Sequence, residues 1–178
     1  GRVVTYGYNS AGNLVSVTRT GGFTTTYSCD ANHNLTTVTD PLGHRTFFTV
    51  DAEDRLASIA GEGGANNTTF QYGVPTANQM TITDAQGSQT VLTYNVNALV
   101  TRVVDPAGNT SQMTYDTDFN LTRVIDPNGR QTSFTYDSRG NVLTSADAQG
   151  NNTSLSYEAV FNQVTSLTDA RNNTTTFS

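Results

Sequence analysis

Residues 131–136 read QTSFTY, and Thr132, Phe134 and Tyr136 alternate with Gln131, Ser133 and Thr135. That period of two marks a half-exposed β-strand. Just upstream, LTRVI at 121–125 is rich in β-branched residues, and Asp126-Pro127-Asn128-Gly129 separates the two runs. Pro127 presets φ at the second turn position, Asp126 can bond its own backbone, and Gly129 accepts a positive φ. Downstream, Tyr136-Asp137-Ser138-Arg139-Gly140-Asn141 turns the chain again. The stretch therefore predicts a β-hairpin with a polar turn at each end. One detail resists a regular strand: Leu121 and Val124 have opposite parity, so they share a face only if a bulge or strong twist lies near the strand start. No stretch carries a sustained helical apolar period.

The same unit recurs along the chain. With the tyrosine as anchor, the frame falls at Tyr8, Cys29, Val50, Tyr72, Tyr94, Tyr115, Tyr136 and Tyr157, in steps of 21 or 22 residues. Cys29 and Val50 are degenerate anchors that keep the frame. An acid or amide usually follows the anchor, with Gly73 the exception, and Leu14, Leu35, Leu56, Val100, Leu121 and Val142 stand six residues after it. A carboxylate column follows at Asp40, Asp84, Asp105, Asp126, Asp147 and Asp169, with Gly61 standing in its place once. A glycine column follows at Gly22, Gly43, Gly64, Gly87, Gly108, Gly129 and Gly150. A large apolar residue, such as Tyr27, Phe48, Met113 or Phe134, sits two positions before each anchor. The structural anchors of the array are thus Tyr8, Tyr72, Tyr94, Tyr115, Tyr136 and Tyr157 with the glycine and aspartate columns. Extra residues around Gln79 and Gln163 predict additional bulges there.

Repeats of this length are single supersecondary units that stack. Loops this short exclude parallel crossovers, so consecutive strands should pair antiparallel in a meander. Two strands per repeat advance a sheet by about 10 Å, so eight repeats would make a strip on the order of 75 Å long. A compact globule of this length is only about 40 Å across. The strip is therefore expected to curl, since natural sheets twist, with stacked aromatics replacing a central core. The expected fold class is all-β, an array of antiparallel hairpin repeats across residues 1–178 with no second domain. Gly1-Arg2 matches Gly129-Arg130, and NNTTTFS matches the strand before an anchor. Both ends are expected to cut through a repeat of a longer array.

Composition narrows the function. Charged residues make up 13 % and hydrophobic residues 35 %, both low for a compact enzyme domain. The formal net charge is -6, and the basic residues are scattered arginines. That pattern argues against a nucleic-acid partner, which needs clustered cations, and against anionic membranes. No apolar run is long enough to cross a bilayer, and no signal-peptide pattern opens the chain. A lone Cys29 excludes an internal disulfide and reads as a small buried hydrophobe.

YDSRGNVLTSADAQG and YDTDFNLTRVIDPNG resemble the RHS/YD repeat, with its Tyr-Asp, Gly-Asn/Arg-Leu and Asp-Pro-x-Gly landmarks. The resemblance covers essentially the whole chain. It implies a β-sheet strip that spirals into a hollow shell, as in bacterial Rhs proteins, the C components of Tc toxins and teneurins. In bacterial members the shell encloses a toxin domain, so the resemblance implies a secreted or cell-surface bacterial location. The implied partners are the rest of the same shell and its enclosed toxin. The self-cleaving aspartates and variable toxin tail of the family do not occur in this sequence, so no catalytic residue is carried over.

The remaining chemistry is weighed residue by residue. Aspartates recurring in every turn read as turn formers, because paired catalytic carboxylates need defined separations and unlike environments. DANHN at 30–34 and DPNG at 126–129 offer oxygen ligands for calcium, yet neither EF-hand spacing nor the glycine-rich nonapeptide occurs. His33 and His44 read as exposed loop residues. Gly21-Gly22 lacks the context of a phosphate loop, and no GxSxG elbow is present. Asn66, Asn109 and Asn120 head Asn-x-Thr/Ser triplets that the repeat itself generates. The expectation is a non-enzyme with no catalytic residue, cofactor or metal. The alternative is an adhesion or carbohydrate-binding module that stacks sugars on exposed tyrosines. Unpaired edges at the two ends predict edge-to-edge self-association of the fragment.

Overall fold

The computed structural model describes residues 2–177, so the match of Gly1 with Gly129 and the terminal Ser178 lie outside the described residues. The chain is all-β, with antiparallel strands joined only by short turns. It divides into two compact units, residues 1–90 and 91–178.

The first unit holds β1 (Val4–Tyr8), β2 (Leu14–Arg19), β3 (Thr24–Cys29), β4 (Leu35–Thr39), β5 (Arg45–Val50), β6 (Leu56–Gly61), β7 (Thr68–Tyr72) and β8 (Gln79–Thr83). Each strand pairs antiparallel with the next. One 3₁₀ turn, Glu62–Gly64, joins β6 to β7. The unit boundary falls inside β9 (Gln89–Tyr94). The second unit continues through β10 (Val100–Val104), β11 (Thr110–Tyr115), β12 (Leu121–Ile125), β13 (Gln131–Tyr136), β14 (Val142–Ala146), β15 (Asn152–Tyr157), β16 (Val164–Thr168) and β17 (Thr174–Thr176). It is likewise a consecutive antiparallel meander.

The parity conflict resolves as a bulge. Tyr115 pairs with Leu121, but Thr114 pairs with Arg123, so Thr122 is the extra residue. Directly opposed residues share a face. Tyr115 and Met113 therefore stand on the same face as Leu121 and Val124. The same one-residue shift follows Tyr8, Cys29, Val50, Tyr94, Tyr136 and Tyr157.

The additional bulge expected near Gln79 is absent. Tyr72 pairs with Met80 and Gln71 with Thr81 without a shift, and the surplus residues lie in the loop between them, across a cis Val74–Pro75 bond. Near Gln163 the surplus residue also lies in the loop, and the bulge there is the ordinary one, at Thr165. A loop on the sheet edge accepts an insertion without disturbing any strand pair, whereas an inserted strand residue would flip every side chain beyond it.

One face is apolar and aromatic, and the other is lined with hydroxyls. On the polar face Thr135 meets Thr144 at 2.6 Å and Thr49 meets Ser58 at 2.7 Å. No hydrophobic side chain is fully buried among the described residues, and Thr81 alone is classed as buried, at 4 % exposure. Cohesion therefore rests on strand ladders, cross-strand pairs and turns rather than on a central core.

Candidate functional site

The recurring columns form the candidate site, and they begin in the turns. Asp137 Oδ1 accepts the backbone N–H groups of Arg139 and Asn141 at 2.8 and 3.0 Å. The Asp137 amide donates to the Asn141 carbonyl, and the Gly140 amide donates to the Asp137 carbonyl. Gly140 lies at φ +82, in the left-handed region. At the other end of the hairpin, Asp147 accepts from Gln149 and Asn151, and the two backbone bonds repeat at Asp147, Gly150 and Asn151. The Tyr-Asp turn and the Asp-Pro-x-Gly turn are thus one device: a three-residue hairpin loop with a left-handed fourth position, closed by an aspartate side chain.

Asp40, Asp84, Asp105, Asp126 and Asp169 each accept the same pair of amides, two and four residues on, at 2.8–2.9 Å. Asn9, Asp30, Asp51, Asn95 and Asp116 do so after the anchors. Gly22, Gly43, Gly87, Gly108, Gly129 and Gly150 hold the left-handed position, and Gly64 has positive φ within the 3₁₀ turn. His33, Asp54, Ala98, Phe119 and Asn172 take that position at φ between 57 and 69, so glycine is favoured there but not obligatory. Arg19 occupies the aspartate position of the first such turn and keeps only the backbone pair, to Phe23 and from Gly22.

These bonds set the electrostatics. The side-chain amide of the residue four positions on, and then its backbone N–H, hold Asp105, Asp137 and Asp169 below the ordinary carboxylate range. Asp147 is lowered first by the Asn151 side chain, Asp40 by His44, and Asp51 by Arg55. His44 is raised in turn, by its hydrogen bond to Asp40. In Asp105, Asp137, Asp147 and Asp169 one carboxylate oxygen accepts two backbone amides and the other accepts an asparagine side chain, so each is an ionised acceptor engaged within its own turn. Between successive turns lies an open polar recess of about 380 Å³, lined by Asp126, Arg130, Asp147 and Gln149 among others. Among the described residues, no group of three or more His, Cys, Asp or Glu is gathered as a metal cage would need.

The tyrosines reach one repeat back. The hydroxyl of Tyr136 donates to the Leu121 carbonyl at 2.7 Å, that of Tyr115 to Val100 at 2.8 Å, and that of Tyr157 to Val142 at 2.9 Å. Tyr72 does the same to Leu56 at 3.0 Å, with the Arg55 guanidinium 4.4 Å from its ring centre. Pairing of β12 with β13 runs from Arg123 to Ile125 and stops short of the bulge, so the hydroxyl serves a carbonyl that the strand ladder does not reach. Burial beside Asp116 pushes the Tyr136 phenol up, which keeps it a donor. Tyr8 is 64 % exposed. Cys29 and Val50 have no hydroxyl to offer in this role.

A further line of contacts runs from turn to turn. His33 Nδ1 meets Asn13 Oδ1 at 2.7 Å, Asn34 Nδ2 donates to Asp54 Oδ1 at 2.8 Å, and Asn141 Nδ2 donates to Asn162 Oδ1 at 3.0 Å. The residue closing one turn thus holds the left-handed residue of the next. The sequence pattern puts His33, Asn34 and Asn141 in turns but does not connect them to Asn13, Asp54 and Asn162. The recurrence of Asn after the turn glycine was the available signal.

A family model described as RHS Repeat matches residues 1–24, 8–45, 115–151 and 136–174. The chain belongs to the RHS-repeat family. Solved structures agree on the fold of this RHS-repeat chain. The crystal structure of TcdB2-TccC3-Cdc42 superposes at a TM-score of 0.55 and 14 % identity, over 92 % of this chain and 11 % of that one. A Tc holotoxin pore from Photorhabdus luminescens superposes at a TM-score of 0.55 and 13 % identity, over 92 % and 11 %. The RHS-repeat chain therefore spans about a tenth of the length of these structures. No curated protein matches it in sequence.

Proposed function

We propose that residues 1–178 are one continuous wall segment of a hollow β-shell that encloses a toxin or effector domain in a secreted bacterial toxin. The observation that carries this reading is where the tyrosine hydroxyls go. Those of Tyr72, Tyr115, Tyr136 and Tyr157 are committed to carbonyls of the preceding repeat. The tyrosine, aspartate and glycine columns act as structural anchors, and their task is to join repeats into a wall. A sugar-binding or adhesive surface would need those hydroxyls and rings free. The partners in this reading are the remainder of the shell and its cargo, outside the producing cell or on its surface.

The test uses the complete parent protein. Its cargo domain should resist limited proteolysis while the repeats stay folded and become cleavable once denaturant opens them. A cargo domain cut as fast in the intact parent as when expressed alone would refute enclosure. Glycan binding that disappears in a folded Tyr115→Ala chain would favour the adhesive alternative.

A further inference from the structure

The loop between β12 and β13 carries a second inference, which goes beyond enclosure and does not depend on it. The left-handed glycine is preceded by Ala11, Leu42, Gln86, Ala107, Arg139 or Gln149 in six other turns, but by Asn128 here. Asn128-Gly129 is the single Asn-Gly pair of the chain. Many other turn asparagines are held: Asn109, Asn120, Asn141, Asn151 and Asn173 each donate the side-chain amide to the aspartate four residues back, at 2.8–3.1 Å. Asn128 is exposed, and among the described residues no group hydrogen-bonds its carboxamide. A Cβ built on Gly129 would meet nothing within 4 Å, so the space beside the pair is open. The loop is also tied less firmly than its neighbours. Asp126 Oδ1 accepts the amides of Asn128 and Arg130 at 2.8 Å, and the Gly129 amide donates to the Asp126 carbonyl at 3.0 Å. Arg130 stands where Asn109 and Asn151 stand in the adjoining turns, so no asparagine amide holds the second oxygen of Asp126 as it does in Asp105 and Asp147.

We propose that Asn128-Gly129 is a site of spontaneous deamidation and isoaspartate formation, gated by the hydrogen bonds of Asp126. When the loop opens, the Gly129 amide nitrogen leaves the Asp126 carbonyl, gives its proton to hydroxide and bonds to Asn128 Cγ. The absence of a Cβ on Gly129 permits that approach. The Cγ–Nδ2 bond breaks, and the departing nitrogen takes up protons from water as ammonia. Water then opens the five-membered succinimide. Breaking its nitrogen bond to Cγ leaves aspartate, and breaking its bond to the main-chain carbonyl leaves isoaspartate. Water is the only co-reactant. Isoaspartate adds a methylene to the main chain, so a three-residue loop no longer keeps both ends on Asp126. Ile125 and Gln131 form the last pair of the adjoining ladder, and the hairpin frays from there. The chain thus carries a chemical clock that loosens one turn of its second unit.

The test incubates the 178-residue chain in mildly alkaline buffer and then cleaves it with trypsin after Arg123 and Arg130. The released peptide VIDPNGR, residues 124–130, should separate by chromatography and mass into asparaginyl, aspartyl and isoaspartyl forms. Asp126→Ala should speed the conversion about fivefold, because the loop opens more often without its side-chain bonds. Asn128→Gln should remain folded and unmodified, since its side chain would have to close a six-membered ring. In the converted chain the Arg130 amide should exchange faster, while the Asn151 amide of the next turn stays as it was. The proposal is overturned if the peptide from the folded chain stays asparaginyl while synthetic VIDPNGR converts in the same buffer. An unchanged rate in the Asp126→Ala chain would refute the gate. Unaltered exchange at Arg130 after conversion would refute the loosened turn.

Discussion

The hairpins at Tyr115 and Tyr72 make the same connection by different means. After Tyr115, Asp116 closes the loop by accepting the amides of Asp118 and Asn120, and the strand resumes with a bulge at Thr122. After Tyr72 comes Gly73, at φ +71 and with no side chain to accept anything. Its loop is longer, its strands pair without a shift, and Thr81 turns inward to donate to the Val74 carbonyl at 2.9 Å. The hairpin after Tyr157 separates the two variables. Its loop is longer by one residue, against two after Tyr72, and Glu158 supplies one more methylene and still accepts the amides of Val160, Phe161 and Gln163. There the bulge survives, at Thr165. The bulge accompanies a capping side-chain oxygen, whether a carboxylate or the amide of Asn9 or Asn95, and one extra loop residue does not remove it.

Acid provides the broadest break in that contrast. Asp30, Asp51, Asp137 and Asp169 have folded-state pKa values below the ordinary 3.8 of aspartate, held there by the hydrogen bonds that close their loops. Their stabilisation is therefore fully present above that value and is lost as pH falls through the lower folded values. Thermal unfolding should show a plateau from neutral pH to about 5 and a steep fall below about 4. Amides of the Asp116 and Asp137 loops should begin to exchange faster, relative to their pH-corrected intrinsic rates, before those of the Gly73 loop.

The next largest effect falls on the left-handed position. Gly129 lies at φ +77 in an otherwise open site, so Gly129→Val meets backbone strain without a clash. A loss of about 2 kcal/mol in denaturant unfolding is expected, with Gly129→Asn nearly neutral.

Tyrosine substitutions sharpen the difference between interior and edge. Tyr136→Phe should cost about 1 kcal/mol, and Tyr8→Phe close to nothing in the isolated chain. Val50→Tyr should stabilise by up to about 1 kcal/mol, because it offers a hydroxyl to the Leu35 carbonyl. Equal effects at residues 8 and 136 would show that the hydroxyl bond contributes nothing.

The smallest effect is local. Glu158→Asp should leave global stability nearly unchanged and speed exchange of the Val160 and Phe161 amides, because the shorter side chain no longer spans the six-residue loop. Unaltered exchange there would detach the carboxylate from the loop geometry.

The sequence by itself determined the strands, the turns and their period, because each depends on contacts within about five residues. Alternation of Thr132, Phe134 and Tyr136 needs only the pleat, and the closure of Asp126 onto Asn128 and Arg130 needs only its own loop. Even the bulge showed as the parity conflict between Leu121 and Val124. Two things were decided only by tertiary structure. The Tyr136 hydroxyl finds a carbonyl 15 residues upstream, and Asn34 finds Asp54 20 residues downstream. Such pairs exist only once neighbouring strands are in register, and register belongs to the assembled sheet rather than to any one repeat. The surplus residues near Gln79 and Gln163 went into loops for the same reason: an edge loop lengthens at little entropic cost, while a strand gains a residue only by shifting its neighbours.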